Sequence, residues 1–224
     1  MTAFTPEEIE RDLQFSIEIA QSAGKRVLEL RETGRWEGKM LADIGDQAAD
    51  GYLQGILAGR YPNDGVLSEE TVDSAERLSK ARAWIIDPLD GTKEFSQERG
   101  DWAVHVALTL NNECAIAAVD LPSQGKTMYA VSLPGQERCG LVGGGGLITG
   151  DSEAPDEIRM ACSRSHTPPW MENFHAALGG SLVREGSVGN KVSTLLLGRA
   201  DVYVHKVGLK EWDTCAPETI ARAA

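Results

Sequence analysis

This chain of 224 residues has no CxxC pair, no apolar run of membrane-spanning length and no excess of basic side chains. Each absence removes a class of protein. Its four cysteines, Cys114, Cys139, Cys162 and Cys215, stand far apart, so neither a zinc site nor a disulfide framework is indicated, and reduced thiols in or near the core are expected. Lysine and arginine number 22 against 34 aspartates and glutamates, a net charge of -12. Such a surface repels a nucleic acid backbone, though not a small phosphate whose charge is met locally by metal ions. The N-terminus is acidic and amphipathic, unlike a signal peptide, and a soluble cytoplasmic protein that engages no membrane is expected. The glycine run at 143–146 lacks the Lys-Ser or Lys-Thr of a nucleotide loop and reads as a linker or hairpin loop rather than a phosphate cradle. There is no internal repeat and no low-complexity tail.

What is present is a mixed α/β pattern. Thr5-Pro6-Glu7-Glu8 is a capping box with proline at the first helical position. Ile9, Leu13, Ile17, Ala20, Val27 and Leu30 follow at helical spacing, predicting a long helix that ends near Gly34. A second helix is expected from about Asp46 to Tyr61-Pro62, with Leu53, Ile56 and Leu57 on its buried face. Val66-Leu67-Ser68 reads as a short strand delivering Glu69 and Glu70 at its end. Strands are expected at 83–87, 103–110, 115–119 and 127–131. The alternation then becomes βαβα: strand 158–162, helix 169–178, strand 182–185, helix 189–197, strand 201–205 and a helix from 214. This suggests an N-terminal α+β subdomain over 1–142, a flexible loop over 143–156 and a C-terminal α/β subdomain over 157–224, with strand ends of the second half converging on one crevice.

The chemistry concentrates in Trp84-Ile85-Ile86-Asp87-Pro88-Leu89-Asp90-Gly91-Thr92. An apolar strand here ends in two carboxylates, each carrying a desolvation cost unless a cation or donor meets it. Mg2+ suits that need, since it prefers oxygen ligands and is held by one or two carboxylates plus substrate phosphate. Pro88 fixes a backbone dihedral so that the Leu89 carbonyl can also face an ion. Gly91 and Thr92 offer backbone N–H groups at a helix start, where phosphate oxygens are favoured. A plain Asp-Gly hairpin turn explains neither Asp87 nor Pro88. Asp213, within Trp212-Asp213-Thr214, reads equally as a cap of the last helix.

These segments, with Gly45-Asp46-Gln47-Ala48-Ala49-Asp50, Leu67-Ser68-Glu69-Glu70, Arg164-Ser165-His166, Gly186-Ser187-Val188-Gly189-Asn190-Lys191 and Trp212 to Glu218, resemble the inositol monophosphatase superfamily of Mg2+-dependent, Li+-sensitive phosphatases. Within it they are most similar to the 3'(2'),5'-bisphosphate nucleotidases of the CysQ type. The resemblance spans nearly the whole chain and implies a layered α-β-α-β-α sandwich of the carbohydrate phosphatase type. It implies Glu69, Asp87, the Leu89 carbonyl, Asp90 and Asp213 as metal ligands for two or three Mg2+ ions, with Mn2+ able to substitute and Li+ inhibitory. Asp46 and Thr92 fall where the family activates and orients the attacking water, so no protein nucleophile is needed. Gly91, Thr92, Ser163, His166, Ser187 and Lys191 match substrate-binding positions. His166 has a second reading as an ordinary helix-cap or loop histidine, and Lys191 sits in a helix's first turn, where a cation is disfavoured unless an anion binds nearby. Relatives of this pattern continue past Ala224 through a glycine pair, which implies a further C-terminal region. Dimerisation is common among such relatives, and no feature here specifies it.

The reaction implied is hydrolysis of the 3'-phosphate of adenosine 3',5'-bisphosphate to AMP and phosphate, a step of sulfur metabolism. Inositol monophosphatase and fructose-1,6-bisphosphatase activities share the metal half of the pattern. An aspartyl-phosphate mechanism needs Asp-x-Asp, and the three-residue spacing of Asp87 and Asp90 misplaces that pair. A non-catalytic metal-binding relative is the remaining alternative.

Overall fold

Thr5 starts the first helix as expected: its hydroxyl accepts from Glu8 N at 3.2 Å while the Glu8 carboxylate accepts from Thr5 N at 2.8 Å. The structure, a computed structural model, describes residues 4–150, 155–165, 167, 169–205 and 208–224. Helix α1 (Pro6–Glu32) buries Ile9, Leu13, Ile17, Ala20 and Val27 along one stripe. Helix α2 (Gly38–Arg60) begins eight residues before the expected start at Asp46, and Glu37 makes no side-chain cap that could have marked it. Asp46 is therefore in mid-helix rather than at a helix start. Leu53 and Leu57 are buried as expected, whereas Ile56 is 38% exposed, lining an open groove between α1 and α2.

Six strands form the central sheet in sequence order: β1 (Gly65–Ser68), β2 (Arg82–Asp90), β3 (Ala103–Leu110), β4 (Glu113–Leu121), β5 (Lys126–Val131) and β6 (Arg138–Val142). β1 runs parallel to β2, and the remaining pairs are antiparallel. Asn111 and Asn112, both at positive φ, make the tight turn from β3 to β4, a conformation asparagine tolerates better than most residues. β6 is absent from the sequence reading because this partly exposed edge strand carries no apolar alternation. Gly140 in it is a matter of space, since a Cβ would lie 2.3 Å from the Tyr129 hydroxyl.

A smaller all-parallel sheet follows, ordered β8-β7-β9 from β7 (Arg159–Ser163), β8 (Ser181–Glu185) and β9 (Val202–Tyr203). Three helices alternate with these strands: α4 (Trp170–Leu178), α5 (Val188–Leu196) and α6 (Glu211–Ala223); the one-turn α3 (Thr92–Ser96) precedes β3. Helix α6 starts three residues before the expected 214, which places Asp213 within its first turn. One face of the central sheet packs Trp84, Ile86, Val104, Val106 and Leu108 against α1 and α2. The other packs Ile85, Ala107, Ala117 and Met128 against Val192 and Leu196 of α5 and Ala216 and Ile220 of α6. Beyond α5 lies the small sheet, with Met171 of α4 against Met160 and Cys162. The result is the α-β-α-β-α layering expected. The four cysteines are free. Among the described residues no helix is long and apolar enough to cross a membrane.

One acid is buried between β4 and α1. Asp120 on β4 is 5% exposed, and Gly24 of α1 leaves room for it, since a Cβ there would meet Asp120 Oδ2 at 2.3 Å. Thr127 Oγ1 donates to Asp120 Oδ1 at 2.8 Å. Burial pushes this carboxyl up to about 7, and the Thr127 and Leu121 hydrogen bonds only partly oppose the shift. A raised carboxyl favours the folded state fully below its unfolded pKa of 3.8; that contribution falls as pH rises from there to about 7 and is gone above. The melting temperature of the wild type is therefore expected to fall relative to Asp120→Asn between pH 4 and pH 7, then to run parallel to it; parallel curves throughout would refute the assignment.

Candidate metal and phosphate site

β2 leaves its ladder at the residues of interest. Its register with β3 is regular up to Asp87 opposite His105, then shifts before Asp90 opposite Ala103, as a strand must when Pro88 removes a ladder donor. Leu89 N turns back to donate to Asp87 Oδ1 at 3.2 Å. Gly91 follows at φ 94, and its missing Cβ would press on Ser187 and Trp102 at 3.2–3.3 Å. Only glycine meets both demands. The chain then enters α3, where Thr92 Oγ1 donates to the Leu89 carbonyl at 3.1 Å.

The acidic residues that lie far apart in sequence converge here. Glu69, just beyond β1, is pushed up to about 7 by burial and then by Asp213, Glu70 and Asp90. Asp87 is 1% exposed, and burial together with Asp90, Glu69 and Asp213 drives it well above the carboxylate range. Asp213 is raised by burial and by Asp90; it also accepts from Lys210 N at 2.6 Å, so it caps α6 as well as facing the cluster. Asp46, from the middle of α2, is pushed up to about 7 by burial, Glu70, Glu69 and Asp43, a shift the nearby Thr92 hydroxyl opposes. Asp90 differs. Burial raises it, but His105, Lys191 and the Gly189 N–H more than offset that and hold it below the usual range. Its Oδ2 lies 2.8 Å from Gly189 N and 3.0 Å from His105 Nε2.

The residues expected to bind substrate gather beside this cluster. Gly91, Thr92, Ser163, Ser187 and Lys191 line one cavity of about 350 Å³ together with Asp90; His166 lies outside the described residues. Ser187 Oγ accepts from Asn190 N at 2.7 Å and so caps α5. Lys191, 3% exposed, donates to the carbonyls of Ser187, at 2.7 Å, and Gly186. These carbonyls and nearby Asp90 account for a cation in the first turn of a helix without any bound anion. Two residues were not singled out from sequence. His205, hydrogen-bonded through Nδ1 to the Tyr203 hydroxyl at 2.9 Å, lines the same cavity, and His105 lies beneath Asp90. Neither belongs to a recognisable motif, and only a polar residue amid the apolar run of β3 hinted at the latter.

The inositol monophosphatase family model matches residues 8–224. The chain belongs to the inositol monophosphatase family. A protein of Mycobacterium leprae called 3'-phosphoadenosine 5'-phosphate phosphatase is 37% identical over 95% of this chain and 79% of its own length. A Salmonella typhimurium protein called 3'(2'),5'-bisphosphate nucleotidase CysQ is 29% identical over 92% and 85%. The crystal structure of CysQ from Bacteroides thetaiotaomicron superimposes with a TM-score of 0.79 at 31% identity, covering 95% of this chain and 86% of that one. The family is metal-dependent, and the residues present fit a hard divalent cation. Asp87 is buried among Glu69, Asp90 and Asp213, and among the described residues no lysine or arginine pairs with it; carboxylate and carbonyl oxygens make up the surrounding donor set.

If a cation answers that repulsion, Asp87→Asn raises the melting temperature of metal-free protein at pH 8. In the wild type, Mg2+ at a hundred times its dissociation constant adds about 5–10 °C, a gain the variant loses. Equal Mg2+ shifts in the two proteins would remove Asp87 from the site.

Proposed function

We propose that this chain is a phosphomonoesterase that removes the 3'-phosphate of adenosine 3',5'-bisphosphate, giving AMP and phosphate, with Mg2+ as its working ion. The observation that carries the substrate is the 37% identity, over nearly all of the chain, to a protein called 3'-phosphoadenosine 5'-phosphate phosphatase. Glu69, Asp87, the Leu89 carbonyl, Asp90 and Asp213 would hold the ions. Bound divalent cations supply positive charge against the phosphoryl oxygens and lower the pKa of water at the site.

The remaining work falls to the chain. The backbone N–H groups of Gly91 and Thr92 bind phosphoryl oxygens and fix the phosphorus in front of the carboxylates. The Thr92 hydroxyl proton rests on the Leu89 carbonyl at 3.1 Å, and the Asp46 carboxyl lies near enough for that hydroxyl to lower its pKa. As water attacks phosphorus and the bond to the 3'-oxygen breaks, the water's proton passes to Thr92 Oγ1, the threonine's own proton passes to Asp46, and the departing 3'-oxygen takes a proton from solvent water. A carboxyl raised to about 7 is well matched to receive a proton near neutrality. Ser163, Ser187, Lys191 and His166 are assigned to the nucleotide and the phosphate that is not cleaved; Lys191 reaches that phosphate by giving up a carbonyl partner.

A panel of substrates tests the reading: kcat/KM for adenosine 3',5'-bisphosphate is expected to exceed that for inositol 1-phosphate and fructose 1,6-bisphosphate at least a hundredfold, with activity requiring Mg2+ and inhibited by Li+. Comparable turnover of inositol 1-phosphate would overturn the substrate while leaving the phosphatase. Thr92→Ala should lower kcat by about 10²–10⁴ and keep the Mg2+-induced rise in melting temperature; an unchanged kcat would remove Thr92 from the proton path.

A further inference from the structure

The side chains of β3 alternate between the two faces of the central sheet. Val104, Val106 and Leu108 point toward α1 and α2, while Ala103 and Ala107 point toward α5 and α6. His105 lies between the two alanines and shares their face. It is fully buried, in a slot whose walls are kept small: a Cβ on Gly189 would lie 2.3 Å from its Nε2, 2.9 Å from Val119 Cγ1 and 3.0 Å from the Ala103 Cβ. Gly189 is not at positive φ, so space rather than backbone conformation calls for glycine in this first turn of α5.

Within the slot the imidazole reaches two chain segments. Its Nε2 is 3.0 Å from Asp90 Oδ2. Its Nδ1 is 3.1 Å from the carbonyl of Trp212, the residue before Asp213 in the first turn of α6. Since a carbonyl only accepts, Nδ1 donates. Asp90 Oδ2 accepts the Gly189 N–H at 2.8 Å, and the imidazole edge lies against the same oxygen at ion-pair distance without an aligned hydrogen bond, so that oxygen faces the protein and Oδ1 is left for a cation. The ligating atoms of Asp87, Asp90 and His105 lie within 4.8 Å of one another, which would suit His105 as a ligand. Both of its ring nitrogens are directed at protein oxygens, however, and Mg2+ favours oxygen.

We infer that His105, seated by Gly189, is a positioning residue that sets the orientation of Asp90 and its spacing from Asp213. This rests on the proposal that those carboxylates hold the metal. Groups behind a ligand commonly govern metal affinity by 10–100-fold, and here one ring ties together two ligand-bearing segments from distant parts of the chain.

The test is Mn2+ binding to the full chain, followed by the paramagnetic resonance of free Mn2+, alongside thermal melts and steady-state kinetics. His105→Ala is expected to raise the Mn2+ dissociation constant about 10–100-fold, while KM for the phosphate ester at saturating metal changes less than about threefold. His105→Gln, whose amide can still donate toward Asp90, is expected to recover part of that loss. Gly189→Ala keeps its N–H and the imidazole but pushes the ring, and is expected to weaken Mn2+ binding in the same direction. Lower melting temperatures with Mn2+ affinity within twofold of wild type, in His105→Ala or, should that variant not fold, in Gly189→Ala and His105→Gln, would overturn the inference and make His105 a packing residue. A wild-type protein that binds no Mn2+ would instead overturn the metal reading beneath it.

Discussion

Like charges brought together repel, and at the end of β2 that repulsion joins the buried Asp87 and Asp90 to the half-buried Asp213 and to Glu69 at the exposed rim. Each carboxylate taken from solvent costs free energy, and their proximity adds to it. The protein answers the cost unevenly. Asp90 is met from below by His105, Lys191 and a backbone N–H, and sits lower than a free carboxylate. Asp87, three residues earlier and equally buried, receives one backbone N–H and faces other acids. The apolar layers on either side of the central sheet supply the stability that permits this. A divalent cation is the natural complement of the half left unanswered.

The same asymmetry bears on how an anionic substrate could enter an acidic protein. Among the basic groups around the cavity, Lys191 is engaged on the carbonyls of Gly186 and Ser187 and nearby Arg164 on Asp101, with Glu94 and Glu185 each 3.8 Å away; Lys93, on the cavity wall, is exposed and its charge is screened by solvent. A phosphate arriving there gains little from side-chain cations alone. The positive charge that attracts it has to come largely with the metal, so affinity for substrate and for ion are linked.

Much of this was legible from the sequence where the signal is local. The capping box at Thr5 and Glu8 marks the start of α1, and the carboxylates at the end of an apolar strand mark where acids distant in sequence converge. The strands expected at 103–110 and 115–119 coincide with β3 and lie within β4. The failures follow from the same logic. Helix α2 lacks a side-chain cap, so nothing local in the sequence marks its start eight residues before Asp46. Strand β6 is a half-exposed edge whose residues carry no alternation. His105 and His205 draw their significance from segments remote in sequence: the first from Asp90 and Trp212, the second from a cavity completed by β2 and α5. A side chain whose meaning is tertiary leaves no periodic trace.

Helix α6 covers one face of the central sheet and brings Asp213 to the cluster, yet it follows the small sheet in the chain, long after β6 has closed the large one. On a ribosome, where domains assemble from the N-terminus at about 5–20 residues per second, Ile85, Ala107, Ala117 and Met128 therefore wait several seconds with their outer face bare. Nascent chains of this topology pass through an interval of apolar exposure before the last helix docks, and it is in that interval that a chaperone would find them.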